Sequence, residues 1–189
     1  MPGLPEIELH TERLLLRLPI AEDHQHFAAF IADPESAQFV GGVQPPHMAW
    51  RTLMAMIGCW ASGGVAMFSV VERASGEWVG RVGPWSPWGW PGDEVGWGIR
   101  RQSWGLGYAR EAASACMDFA VEKLGWEQII HSIDPSNHNS RRVAEKLGSV
   151  LLRQDRLPAP FDEKPIDIWG QSAAEWRARR ASGIPPTAS

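Results

Sequence analysis

Apolar positions along the chain fall into short alternating runs separated by longer helical stripes. Residues 11–18 alternate weakly and are rich in leucine, which predicts a first strand. Beyond Pro19, Glu22 and Asp23 stand where a helix dipole favours acids, and Phe27, Phe30 and Ile31 mark one helical face before Pro34 ends the run. From Pro46 a second stripe follows (Trp50, Leu53, Met54, Ile57 and Trp60), stopped by Gly63 and Gly64. Residues 66–72 and 78–82 read as two strands joined through Ala74, Ser75 and Gly76. A loop rich in Pro, Gly and Trp spans 84–92, and 94–100 reads as another strand. The helix predicted over 108–124 carries Ala109, Ala112, Ala113, Cys116, Met117, Ala120 and Leu124 on one side and closes at Gly125. A strand over 128–134, a helix over 139–147 stopped by Gly148, and strands over 150–156 and 165–169 complete the pattern. Ser172 with Glu175 forms a capping box for a last helix.

The order β-α-α-β-β-β-α-β-α-β-β predicts an α/β fold with a mixed, mostly antiparallel central sheet and helices on both faces. It lacks the regular alternation of a dinucleotide-binding fold. A length of 189 residues fits a single domain over 1–189, with 11–180 as folded core and 1–10 and 181–189 as flexible ends.

Composition narrows the function. A net charge of −4 and a pI near 5.9 argue against nucleic acid as a partner. The first ten residues show neither the basic stretch nor the apolar run of a signal peptide, and no segment has membrane-spanning length; the expected location is the cytoplasm, with no membrane partner. Cys59 and Cys116 fall on apolar helix faces, as reduced core residues do. The six histidines lie apart without metal-ligand spacing, so no metal is expected. Eleven tryptophans are many, and Trp85, Trp88, Trp90, Trp97 and Trp104 crowd one stretch.

That stretch holds the candidate chemistry. In Glu94-Val-Gly-Trp-Gly-Ile-Arg-Arg-Gln-Ser-Trp-Gly-Leu-Gly-Tyr-Ala109 a strand passes through two closely spaced glycines into a long helix. Such a turn curls the backbone and aims several N–H groups one way, with the helix dipole behind them: an anion site suited to a pyrophosphate, or simply a tight connection. The loop lacks the Lys-Ser/Thr of a P-loop and the spacing of a dinucleotide fingerprint.

Gln102-x-x-Gly105-x-Gly107 between strand and helix resembles the pyrophosphate loop of the GNAT superfamily of acetyltransferases. The longer run 94–112, the segment Asn137-His-Asn-Ser140-Arg-Arg-Val-Ala-Glu-Lys-Leu-Gly148 and the opening Thr11-Glu-Arg-Leu-Leu-Leu-Arg-Leu are similar to the branch that includes ribosomal-protein N-terminal acetyltransferases. The resemblance spans about residues 11–169. It implies acetyl-CoA as co-substrate, with strand backbone around Trp97 and Ile99 pairing with the pantetheine arm. Gln102, Gly105, Leu106, Gly107, Tyr108 and Ala109 would hold the pyrophosphate, and Asn137 would contact the pantetheine. Arg142 and Lys146 would reach coenzyme phosphates or form a solvated helix face.

It also implies an amine acceptor, a small molecule or a protein N-terminus, attacking directly in a ternary complex. Deprotonating the acceptor at neutral pH costs about 1 kcal/mol for an α-amine and about 4.5 kcal/mol for a lysine side chain. Glu94 is the candidate base, or a strand-end carboxylate. The tyrosine with which such enzymes often protonate the departing thiolate is missing, since Tyr108 is the only tyrosine. Ser140 is the candidate donor, or a helix cap. Trp85, Trp88 and Trp90 would wall an acceptor pocket or pack beneath a loop, and Asp162 and Glu163 would draw a cationic acceptor or lie in solvent. Polyamine acceptors, a non-catalytic coenzyme A sensor and a homodimer through exposed tryptophans remain open.

Overall fold

Period-2 runs form strands and period-3.6 runs form helices throughout the computed structural model, which describes residues 6–183. In chain order the elements are β1 (Glu8–His10), β2 (Leu14–Arg17), a 3-10 turn (Ala21–Asp23), α1 (His24–Ala32), α2 (Pro34–Ala37), α3 (Pro46–Ala61), β3 (Phe68–Glu72), β4 (Trp78–Trp85) and β5 (Glu94–Ile99). After a second 3-10 turn (Arg101–Ser103) come α4 (Tyr108–Glu122), β6 (Gln128–Ile133), α5 (His138–Leu147), β7 (Val150–Asp155), β8 (Ile166–Ser172) and α6 (Ala173–Ala181).

Two short elements add to the expected pattern. Residues 8–10, read as part of a flexible end, form an edge strand in register with β2 (Leu9 opposite Leu16), and Ile7 and Leu9 pack on the core. Pro34 ends one helix as expected but opens another, because Asp33 turns extended and its Oδ1 caps the Ser36 N–H at 2.8 Å. The expected flexibility of residues 1–5 and 184–189 falls outside the described residues.

The eight strands form one sheet in the order β1-β2-β3-β4-β5-β6-β8-β7, and every neighbouring pair is antiparallel except β5 and β6. Helices cover both faces. Arg81 and Val82 are successive on β4 and therefore face opposite ways. The Arg81 face meets α1 through Phe27, and the Val82 face meets α4, where Cys116 Sγ lies 3.7 Å from the Val82 carbonyl. The α4 stripe is built from small residues, so the helix lies close on the sheet; Ala112, Ala113, Cys116, Met117 and Ala120 are fully buried. Both cysteines are free thiols.

The parallel pair decides where a site can form. Its ladder holds one residue pair, Glu94 with Ile130, backed by the Ile130 N–H bond to the Asp93 carbonyl at 2.9 Å. Beyond it the strands diverge toward their C-terminal ends, and the sheet opens. No helix among the described residues is long and apolar enough to cross a membrane.

Candidate active site

The opening between β5 and β6 leads into a cavity of about 960 Å³. N–H and C=O groups of alternate strand residues share an edge, so Asp93, Val95, Trp97 and Ile99 present theirs to the opening. Three carbonyls there are occupied: Asp93 by Ile130, Val95 by the His131 ring at 2.7 Å, and Ile99 by the Trp104 indole N–H at 2.7 Å. The Trp97 peptide groups lie between them without a ladder partner on β6.

His131 of β6 bonds across the opening to β5. It is 1% exposed, and Nδ1 must carry the proton because it faces a carbonyl. Nε2 then accepts from the Ser149 hydroxyl at 3.0 Å, and Ser149 Oγ accepts from Gln171 Nε2 at 2.9 Å. The chain of donors has one consistent direction, and burial brings the imidazole pKa down to about 4. The Trp97 ring packs on it at 4.8 Å.

At the head of α4, Gly105 and Gly107 take φ of 78° and 80°, the left-handed region that glycine enters without strain. The first N–H to bond back into the helix is that of Glu111, to the Gly107 carbonyl at 3.1 Å. The N–H groups of a helix's first turn have no acceptor inside the helix, and Gly107, Tyr108 and Ala109 line the cavity here. Glu111 itself anchors the β1–β2 turn through Thr11 Oγ1 at 2.6 Å and Arg13 Nε at 2.7 Å, which lays the Arg13 guanidinium over the Tyr108 ring.

On the other side of the opening, Glu94, Gly96 and Gly98 share one face of β5. A Cβ on Gly96 would meet Met67 Cε at 2.6 Å and Glu94 Oε1 at 2.9 Å, and one on Gly98 would meet Phe30 Cζ at 2.9 Å. Only glycine leaves this floor clear. Glu94 is 7% exposed and accepts from Trp90 Nε1 at 2.7 Å. Burial pushes its carboxyl above the usual range, while Trp90, the Ser132 backbone and the charge of Arg81 draw it back. Trp85 meets Trp90 edge-on at 6.3 Å, and both line the cavity. The rim is pinned by Arg101, whose backbone N–H donates to Ser36 Oγ and whose side chain holds Asp33 and Glu35.

Trp97, Ile99, Gly105, Leu106, Gly107, Tyr108, Ala109, Asn137, Ser140, Arg142 and Glu94 all border this one cavity. Gln102 does not: the second 3-10 turn leaves it exposed, away from the lining. The helix cap at α5 is Asn137, whose Oδ1 accepts from the Ser140 N–H at 3.0 Å. Ser140 is therefore not the cap; its Oγ accepts from Trp97 Nε1 at 3.2 Å. Tyr108 turns its hydroxyl to Glu72. Trp88 is fully exposed and outside the lining, and from the 157–164 loop Leu157 and Phe161 reach the cavity in place of Asp162 and Glu163. Among the described residues no cluster of His, Cys, Asp and Glu is arranged to hold a metal ion.

Sequence reading missed Arg81 and His131. Both carried a signal: each is a titratable residue among the apolar residues of a strand, Trp78-Val-Gly-Arg-Val and Ile129-Ile-His-Ser-Ile.

Comparison with known proteins matches residues 13–150 to the family described as acetyltransferase (GNAT) domain. The chain is 29% identical over 163 residues to YkkB, an uncharacterised protein of Bacillus subtilis strain 168, covering 83% of this chain and 95% of that one. Among solved structures it resembles an acetyltransferase from Agrobacterium tumefaciens (TM-score 0.76, 28% identity, 89% and 96% of the two chains). A ribosomal-protein-S5-alanine acetyltransferase from Vibrio fischeri shares the fold (TM-score 0.70, 16% identity, 90% and 99%).

Proposed function

Since the chain belongs to the GNAT family of acetyltransferases, we propose that it transfers the acetyl group of acetyl-CoA to a primary amine by direct attack within a ternary complex. One observation carries the reading. A single cavity joins the head of α4, the unpaired Trp97 peptide at the β5–β6 opening and the buried Glu94 carboxyl.

The residues fit acetyl-CoA as co-substrate. The α4 head from Gly105 to Ala109 suits its pyrophosphate, with Arg142 bordering the same cavity, and the Trp97 C=O and the Ile99 N–H suit the amides of its pantetheine arm. When bound, it supplies an acetyl group already activated as a thioester. The acceptor nitrogen bonds to the acetyl carbon as the C–S bond breaks. One amine proton passes to Glu94, and the departing sulfur takes a proton through the Ser140 hydroxyl, which regains one from solvent as it gives its own. The Trp97 N–H, already fixed on the strand edge, suits the oxyanion that forms between these events. Proximity supplies much of the rate in such a complex.

Parallel thermal-denaturation scans with acetyl-CoA, ATP and NAD test the proposal. Ligand at about 100 times its Kd adds about 2.7 kcal/mol. For a domain of this size that raises Tm by roughly 5–10 °C. A rise with acetyl-CoA, followed by amine-dependent thiol release that Glu94→Gln abolishes, is the expected result. A rise with nucleotide alone would overturn it, and turnover indifferent to Glu94→Gln would remove the base.

A further inference from the structure

Arg81 is a cation held on the acceptor side of the cavity with no ion-pair partner among the described residues. It stands on β4 opposite Gly98, on the face where Gly96 and Gly98 leave the floor bare. Its guanidinium carbon lies 5.5 Å from the centre of the Phe27 ring. Its Nε is shut away from solvent without a hydrogen-bond acceptor, and its side chain forms no ion pair with any described residue. Arg13 and Arg101, which border the same cavity or its rim, each hold a carboxylate. Burial brings Arg81 down to about 10, and the field of Glu94 offsets only part of that cost.

A partly buried cation without an ion-pair partner carries a desolvation cost, and an apolar residue would pack against Phe27 without it. An arginine fork matches a carboxylate with two parallel hydrogen bonds. Two charged heads therefore face one pocket without pairing: Glu94, suited to an ammonium, and Arg81, suited to an anion. Their backbones are offset by four positions in the β4–β5 register, since Glu94 stands opposite Trp85. Between them the walls are Trp85, Trp90 and Met67. Resting on the acetyltransferase reading above, we propose that Arg81 docks a carboxylate carried by the acceptor, so that the acceptor class is a small amino acid with an apolar side chain. A second ammonium, as in a polyamine, would meet the Arg81 charge instead of a partner. A protein N-terminus brings no carboxylate of its own to that depth.

Thiol release is measured with matched acceptors: phenylalanine against phenethylamine, and leucine against isopentylamine. A bidentate carboxylate contact predicts that kcat/KM for the amino acid exceeds that for its decarboxylated partner by about tenfold or more. Arg81→Gln is expected to erase that ratio through the KM of the amino acid, with the Kd of acetyl-CoA retained; the loss of the Arg81 charge at Glu94 acts on both members of a pair and cancels in the ratio. Arg81→Lys keeps the charge without the fork and is expected to retain a reduced preference, which preserves the test should Arg81→Gln fail to fold. Equal or better rates with the decarboxylated amines, or an amino-acid preference that survives Arg81→Gln, would overturn the proposal. So would acetyl-CoA binding with no turnover of any of the four. Absence of an acetyl-CoA shift would instead remove the acetyltransferase reading itself.

Discussion

The indole N–H of Trp90 donates to Glu94 Oε2 at 2.7 Å, four residues away across the turn that leads into β5. A hydrogen bond to the ionised form favours that form, so Trp90 works against the burial that pushes the Glu94 carboxyl upward. The tryptophan-rich loop thus does more than cover the pocket: it helps set the ionisation of the candidate base.

Glu94→Gln is expected to lower kcat by about 10²–10⁴, the usual range for a lost general base, with the acetyl-CoA thermal shift retained. Because burial raises the Glu94 carboxyl, the acidic limb of kcat/KM should lie above the ordinary carboxylate range. Trp90→Phe removes a donor to the charged form and should move that limb further up. A pH–rate profile of the two proteins checks both statements; a limb that stays in place on Trp90→Phe would detach the indole from the titration.

His131 ties stability to pH. Its pKa is about 4 in the folded protein against 6.5 in a free chain. A depressed folded pKa gives stability that is present above the unfolded value and lost as pH falls through the folded one. The loss therefore runs from about pH 6.5 to about pH 4 and amounts to about 3 kcal/mol. Urea denaturation at several pH values should show it in the wild type and not in His131→Gln. The variant should also be less stable at pH 7 by about 1–3 kcal/mol, since Val95 and Ser149 lose their shared partner.

At Gly107 the constraint is backbone conformation and not space. A Cβ there would meet only Arg13 Nη2, at 3.5 Å, yet φ is 80°. Gly107→Ala should cost about 1–2 kcal/mol of stability from the left-handed geometry alone. Relaxing that strain turns the first N–H groups of α4 away from the cavity mouth, so the Kd for acetyl-CoA should rise by about tenfold if one such contact is lost. Calorimetric titration of the coenzyme against both proteins measures this.

Asp23 tests the fold apart from the site. It is 3% exposed and receives both Arg17 nitrogens (2.8 and 2.6 Å), Ser69 Oγ (2.7 Å) and the Ile20 N–H (3.1 Å). Burial raises its carboxyl, but these four donors outweigh burial and hold it below the usual carboxylate range. The resulting stability is present above the ordinary carboxylate pKa and is lost as pH falls through the lower folded value. Asp23→Asn breaks one side of a largely buried pair and should cost about 3 kcal/mol near pH 7. A denaturation midpoint unchanged by the substitution would contradict that account.

The sequence by itself determined the elements that rest on local physics. The stripe from Trp50 to Trp60, the small-residue face of α4 and the turn at Gly76 are periodicities and backbone preferences readable within a few residues. The glycines at 105 and 107 marked the head of α4 for the same reason, and Glu94 was singled out as a candidate through the family resemblance of the run it opens. Tertiary structure alone decided how these pieces meet. Where β5 and β6 part after Glu94, His131 finds its partners Val95 and Ser149, 36 and 18 residues away. The Asp23 network reaches across 46 residues to Ser69, and the isolation of Arg81 follows from the packing of α1 over β4. The resemblance put Gln102 in the anion loop, but the second 3-10 turn leaves it exposed and outside the cavity lining. Buried polar groups must find partners wherever the chain brings them, so their positions follow from long-range packing that no local period records.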